Sequence, residues 1–547
     1  MRGALSVVLL AFAITISGQA FADSSRTAAD VAAEIDGLLQ KEIPALATAE
    51  KPAPASDEVF LRRVYLDLVG ESPRPAEVTA FALNPSASKR AEVVKKLLAD
   101  ERYGLNWARY WRDVILYRRS DDRALITAPA LTQHLTEQFN AGASWRQIAI
   151  DFVTAEGDLA TDGRTALLAS QWGTIPETAA EVSRVLMGVQ IQCAQCHDHK
   201  TDRWKREQFH QLAAFFPRIA IRPVREEGKR IGFELLARDE AAGQRQNKKG
   251  NKKAPPRFEH YMPDLGDPTA QGALMQPVFF VTGQKLKPGL TDEQRRQALA
   301  NWIVSERNPW FARSVVNRLW AELLGEGLYE PVDDLGPDRV CAAPQTMDLL
   351  AVQLAAHDYD LRWLLETIAT TELYSRQSRP RRQSNETPFV ATCPQPLRAD
   401  QLFNNLVAAL GVEDEQPEAK PGDRAALIRR ARVPRGQFNA AFGFDPSAPR
   451  DELAGSIEQA LVMMNSQPVA RAMSGGKQKT MLADLLRDSK NDDDVTLELY
   501  LRCLGREPSD QELTTCRDYL NEVGDRREAF EDILWSLINS TEFLYRR

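Results

Sequence analysis

Apolar residues recur at helical spacing through most of the chain, and the helices they predict set the frame for everything else. Thr27 to Glu50 reads as a first helix, with Val31, Ile35, Leu38 and Leu39 on one face, and is broken by Lys51-Pro52-Ala53-Pro54. A second begins at Asp57 and ends at Gly70, a residue suited to a left-handed C-cap. Trp107, Tyr110 and Trp111 fall at i, i+3 and i+4, the signature of a buried face. Val182, Val185, Leu186 and Val189 form one stripe, opened by the capping-box pattern Thr174-x-x-Glu177. Phe209, Leu212, Ala213 and Phe216 form another, stopped at Pro217. From Thr291 helices resume, with candidates at Phe311 to Leu324, Thr346 to Ala356, Leu361 to Thr371, Leu402 to Leu410 and Leu453 to Met464.

Helical periodicity is lost between residues 218 and 290. Phe233-Glu234-Leu235-Leu236 and Pro277-Val278-Phe279-Phe280-Val281 read as short strands there, and the polar run Gly243 to Arg257 as a loop. The expected fold is therefore mainly α: two helical lobes joined by a short irregular or β-hairpin bridge. The boundaries are a leader at 1–22, an N-terminal helical domain at 23–217, a bridge at 218–290 with a mobile basic loop, and a C-terminal helical domain at 291–547. One segment echoes another. Tyr65-Leu66-Asp67-Leu68-Val69-Gly70-Glu71-Ser72-Pro73 aligns with Tyr500-Leu501-Arg502-Cys503-Leu504-Gly505-Arg506-Glu507-Pro508, and Ser509-x-x-Glu512 is a capping box. Similar three-helix units are expected near both ends.

Composition narrows the class. At 43% hydrophobic and 27% charged the chain is globular, and a net charge of −7 gives no electrostatic case for nucleic-acid binding. The cluster Lys248-Lys249-Gly250-Asn251-Lys252-Lys253 reads as a solvated loop. Residues 1–22 read as a secretory signal: Arg2, a short apolar run from Ala4 to Ser17, and Ala20-Phe21-Ala22 as the cleavage site. No later stretch approaches the roughly 20 apolar residues of a membrane span. An exported protein, periplasmic or extracellular, with no membrane span after signal cleavage is expected.

The chemical signal is concentrated in Gln192-Cys193-Ala194-Gln195-Cys196-His197-Asp198-His199, which holds two of six cysteines and two of six histidines. Cys193-x-x-Cys196-His197 is the spacing of a c-type haem attachment site, in which both sulfurs form thioethers and the adjacent His is the proximal iron ligand. Asp198, His199, Asp202 and His210 are supporting candidates. Two other readings stand beside haem c. One is zinc held by Cys193, Cys196, His197, His199, Asp202 and His210, although adjacent Cys196 and His197 converge poorly on one tetrahedral ion. The other is a Cys193–Cys196 disulfide. His134, His210, His260, His357 and the methionines are formal distal ligands, and spacing selects none. Cys503 and Cys516 flank one predicted tight turn on antiparallel helices and form the favoured disulfide pair among the remaining cysteines. Asp333-Asp334 reads as a turn or helix start.

Several strings resemble the planctomycete cytochrome-associated proteins that carry domain of unknown function 1549 followed by domain of unknown function 1553. The first resemblance spans about residues 57 to 216, including Phe60-Leu61-Arg62-Arg63-Val64-Tyr65-Leu66-Asp67, Trp107-Ala108-Arg109-Tyr110-Trp111 and Gly188 through His199, with Asp202 and Trp204 matching downstream. The second spans about 295 to 543, including Val316-Asn317-Arg318-Leu319-Trp320 and Glu330-Pro331-Val332-Asp333-Asp334-Leu335-Gly336. The resemblance implies an exported protein and carries no settled activity. Relatives often have His two residues beyond Trp320, where this chain has Glu322. The expected function is an exported c-type haem redox protein, an electron carrier or a subunit of an oxidoreductase, with an unidentified redox partner protein. The alternative is a haem-free exported binding or scaffolding protein with a zinc or disulfide clip at the motif.

Overall fold

The computed structural model describes residues 26–119, 121–238, 258–267, 269–380, 386–412, 434–448, 456–465, 472–475 and 480–547. The expected leader at 1–22 and the basic run at 248–253 lie outside them. The fold is mainly α, with small sheets of two or three strands.

Local sequence explains most helix ends. Thr27 and Asp30 form a reciprocal capping box at the start of Ala28–Glu42. The chain turns at Ile43-Pro44 before a short helix, Ala45–Thr48, so the expected single run to Glu50 is two pieces. Ser56 caps Asp57–Val69, and Gly70 closes that helix at φ 74°, a left-handed conformation open to glycine. Thr291 and Gln294 cap Asp292–Ile303, and Ser509 and Glu512 cap Asp510–Val523. Thr174 is the N-cap of Ile175–Met187, but its side chain accepts no capping hydrogen bond, so the box predicted with Glu177 does not form. The helix starts instead on the preset backbone of Pro176 in its first turn. The helix expected from Leu453 is described as Ile457–Asn465.

Both three-helix units are present, as Asp57–Val69, Pro75–Leu83 and Lys89–Leu98, and as Asp492–Leu504, Asp510–Val523 and Arg526–Ile538. They touch: Gly505 lies against Arg62 and Pro73. The pairing predicted within the second unit does not form. Cys503 and Cys516 are free thiols. Cys503 is fully buried, which pushes its thiol to about 12, and Cys516 bonds instead with the Tyr500 hydroxyl.

The helices on either side of the bridge are buried against one another. Ala28–Glu42 packs on Pro344–Ala356 and Leu361–Ala369, and Ile175–Met187 on Pro309–Leu324. One continuous core gathers residues from Ala28 to Val390 together with Leu501, while a second gathers Leu66 with residues from Leu397 to Phe543. Trp107, Tyr110 and Trp111 are each about 1% exposed, and Trp111 stacks on Trp145 with centroids 4.0 Å apart, a core role as their spacing predicts.

The bridge is a hairpin of β2 (Ile219–Glu226) and β3 (Lys229–Ala237), with β1 (Gly157–Asp158) on the far side of β3. Glu227 and Gly228 both have positive φ, 48° and 79°, which gives the two-residue turn the twist that antiparallel strands require. The two strand-like runs do not pair with each other. Phe233–Leu236 pairs with β2, and Val278–Phe279 with Gln284–Lys285. Among the described residues no helix is long and apolar enough to cross a membrane.

Candidate functional site

The Cys193–His197 stretch is a surface turn between two helices. Ile175–Met187 ends at Gly188, φ 63°, where an added β-carbon would lie 2.9 Å from Leu335 Cδ1 and 3.0 Å from Ser314 Cβ. Ile191–Gln195 then forms a 3₁₀ helix with Cys196 as its C-cap. Residues three apart share a face in that helix. Ile191 and Ala194 are anchored in the core, and Cys193 and Cys196, three apart, are both exposed free thiols. The spacing of the motif thus becomes a pair of thiols on one side of one turn.

His197 is exposed beside them. Its Nδ1 lies 2.8 Å from the Asp198 carbonyl oxygen. A carbonyl accepts, so Nδ1 carries the hydrogen and Nε2 is the bare, basic nitrogen. Asp198 serves the following helix, Arg206–Ala213: its carboxylate accepts the Arg206 backbone N–H at 3.0 Å and pairs with Lys205 at 3.0 Å. The Arg206 N–H and the Lys205 ammonium hold that carboxyl below its usual range. His199 closes a tight loop, donating its backbone N–H to the Trp204 carbonyl at 2.8 Å and accepting the Thr201 N–H at Nδ1. Trp204 is buried edge-on against Phe280, which fixes where the loop lands.

Asp202 and His210 are buried, unlike the thiols. Asp202 is 9% exposed and lies against Gly336, with one oxygen accepting the Arg203 N–H at 2.7 Å. Burial, reinforced by the nearby Asp338 charge, raises its carboxyl above the usual value. His210 is 2% exposed and sits behind the turn, bonded to the Gln195 carbonyl and to His260. The donor set expected for zinc is therefore spread over the outer face, the loop and the interior. Among the described residues no group of three or more His, Cys, Asp or Glu side chains is arranged to hold a metal ion. Of the other histidines, His357 stacks on Trp363 and bonds the Gln353 and Arg26 carbonyls, and His134 is a half-buried residue of Asp121–Asn140.

Directly under the turn lies a charged seam that spacing does not reveal. Arg184 pairs with Glu181 at 2.7 Å and with Asp333 at 2.9 Å, all within the interior. Arg119 reaches Glu181 at 2.6 Å, and Arg118 and Arg318 stand 3.6 and 3.7 Å from Asp333. The second oxygen of Asp333 accepts Gln190 Nε2 at 2.7 Å, two residues before Gln192. Burial pushes the Asp333 carboxyl up, but Arg184, Arg318 and Arg118 outweigh it and hold it at about 2. Asp333 is thus the hub of a buried ionic network, beyond the turn role its sequence suggests. Asp334 pairs with Arg339 at 2.6 Å. Glu322 is engaged elsewhere, with Arg398 at 3.0 Å.

The seam joins the two helical segments at backbone level as well. The Leu335 N–H donates to the Gly188 carbonyl at 2.6 Å, Arg339 reaches the Thr201 hydroxyl at 3.2 Å, and Arg203 pairs with Asp338 at 2.8 Å. Gly336 leaves space only for Asp202, since a β-carbon there would overlap its Oδ2. Gly336→Ala is expected to displace the 199–204 loop and lower stability by about 1–3 kcal/mol, the cost of overpacking a close contact. Urea denaturation measures the loss, and faster proteolysis within residues 199–204 reports its location.

These features define a mainly α protein of two interlocked helical segments with an exposed Cys-x-x-Cys-His turn over the seam between them. Residues 34–220 match the family model PSCyt2, protein of unknown function (DUF1549), and residues 295–520 match PSD1, protein of unknown function (DUF1553). The chain belongs to the family in which the first domain is followed by the second. No curated protein and no solved structure matches it. Arg184, Gln190 and Asp202 come from the first matched segment and Arg318, Asp333 and Gly336 from the second, so the site lies where the two domains meet.

Proposed function

We propose that the protein is an exported, periplasmic or extracellular, c-type haem redox protein, carrying electrons alone or as a subunit of an oxidoreductase toward a partner redox protein. One observation carries this reading: Cys193 and Cys196 are exposed thiols on one side of a 3₁₀ turn, beside a His197 whose Nδ1 hydrogen is held by a carbonyl. That is the tautomer an iron-ligating imidazole needs, with Nε2 bare and the ring oriented by a bond from its other nitrogen. Cys193 and Cys196 would hold the porphyrin and His197 its iron; the group would supply one-electron transfer. This chain's own residues fix the platform. Ile191 and Ala194 root the turn, Asp198 ties it to Arg206–Ala213, and Gln190 anchors it on Asp333.

Expression of the full chain with a cytochrome c maturation system tests the reading. A haem-stained band on a denaturing gel and a porphyrin adduct on the intact mass are expected. A colourless band with an unmodified mass overturns it, and zinc content and free-thiol count on the same sample then decide between a metal clip and a disulfide clip.

A further inference from the structure

A strap passes beside the Cys193–His197 turn. Tyr261–Met262 and Ala273–Leu274 pair as its two strands, and Tyr261–Met262 rests on the helix Arg206–Ala213. Two ties bring the strap to the motif. His260 bonds His210 at 2.8 Å, and His210 bonds the Gln195 carbonyl at 3.0 Å. Arg206 donates to the Pro263 carbonyl at 2.6 Å and to the Gln195 carbonyl at 3.4 Å, so the strap stands one guanidinium group away from the residue just before Cys196. The backbone N–H of the same Arg206 donates to Asp198 at 3.0 Å, just past His197.

The strap is anchored at its base and apolar where it is exposed. Met275 is 6% exposed, and its N–H donates to the His260 carbonyl at 2.9 Å. Tyr261 and Leu274 lie directly opposite each other and share one face of the ribbon. Leu274 is 43% exposed, and Leu265, just past Pro263, is 65% exposed. The carboxylates of the strap are turned to its own backbone: Asp264 accepts the Gly266 N–H at 2.8 Å and Asp267 the Thr269 N–H at 3.0 Å. A two-stranded ribbon is marginal alone and gains stability when one face is packed. Apolar side chains left exposed on such a ribbon, tied to a cofactor-attachment motif, are suited to a ligand that covers them.

We propose that the strap is the outer wall of the porphyrin site, with Leu265 and Leu274 covering the ring and Arg206 as the positioning residue that holds wall and turn together. This rests on the haem reading of Cys193, Cys196 and His197. A porphyrin is flat and largely apolar, and thioethers at Cys193 and Cys196 would fix one of its edges next to Gln195. The ring is wider than a guanidinium group, so it extends past Arg206 onto the strap. The edge at the thioethers is the apolar one, and the Asp264 and Asp267 carboxylates disfavour the propionate edge there. Covering the ring excludes water and favours the less charged, reduced iron, which raises the potential.

Hydrogen exchange of the full chain, produced with and without the cytochrome c maturation system, tests this on the strap. Amides of residues 261–265 and 272–274 are expected to exchange about tenfold slower in the haem-bearing chain, the effect of burying a leucine side chain. The double variant Leu265→Asn, Leu274→Asn should still stain for haem, show no such slowing, and have a lower midpoint potential than the natural protein, because water reaches the ring. Protection of the distant Asp492–Leu504 helix verifies that the variant is folded. A stained natural chain whose strap exchanges equally with and without haem overturns the wall and leaves the haem reading standing. So does a stained double variant that keeps either the slowing or the natural potential. A colourless natural chain overturns both.

Discussion

Replacing both Cys193 and Cys196 by serine should yield a chain without covalently bound porphyrin. The argument is geometric. In the 3₁₀ turn Cys193 and Cys196 share an outward face because Ile191 and Ala194 occupy the inward one. Serines at 193 and 196 keep the turn and its exposure, and remove only the two nucleophilic sulfurs. Co-expression with the maturation system, followed by haem staining after denaturation and an intact mass, reads the result as presence or absence. Cys341→Ser, at a half-buried thiol raised above its ordinary value by burial, is the control and should stain like the natural protein. An adduct that survives the double serine change would show that the pair is not the tether.

Asp333→Leu should produce the largest loss of stability of any single substitution at the site. Asp333 is fully buried among Arg184, Arg118 and Arg318 and also receives Gln190. Removing the carboxylate leaves the Arg184 guanidinium, itself 4% exposed, with Glu181 as its remaining anionic partner and the seam with an excess of cations. Breaking one partner out of a buried ionic network costs about 3–5 kcal/mol. The midpoint of urea denaturation at pH 7 reads the loss. The pH dependence has a defined sign. Asp333 is held at about 2, below the ordinary 3.8, so its contribution is complete above about pH 4 and is lost as pH falls through 2. The natural protein should therefore lose stability between pH 4 and 2 more steeply than the variant.

The helices were legible because their determinants are local. Capping residues at Thr27, Ser56, Thr291 and Ser509, a closing Gly70 and repeating apolar stripes all act within a few positions. Adjacent sequence also disclosed the Cys193–His197 turn, since its chemistry is contained in five residues. What stayed hidden depends on residues far apart. Arg184 and Asp333 lie 149 positions from each other, and His210 and His260 lie 50 apart, so no window contains either pair. Cys503 and Cys516 flank one turn on neighbouring helices and are free thiols there. The Phe233–Leu236 strand found its partner in Ile219–Glu226, a segment with a proline at 223 and charges at its outer end that carries little strand signal.

The arginines of Asp57–Val69 carry a consequence for how the chain reaches this state. Arg62 and Arg63 donate to the carbonyls of Phe543, Tyr545 and Arg547, which lie 481 to 484 residues further along. Arg546 returns the connection, pairing with buried Asp67 at 3.0 Å. During synthesis from the ribosome the early helix therefore emerges long before its partners do, with cationic groups destined for the interior and nothing yet to receive them. Closure waits for residues 543–547, and such long-range contacts are made late and slowly. Nascent chains stalled within the second matched segment should be sensitive to protease around residues 57–69, and should become resistant there only when the final strand, Tyr545–Arg546, has joined Gln395–Pro396.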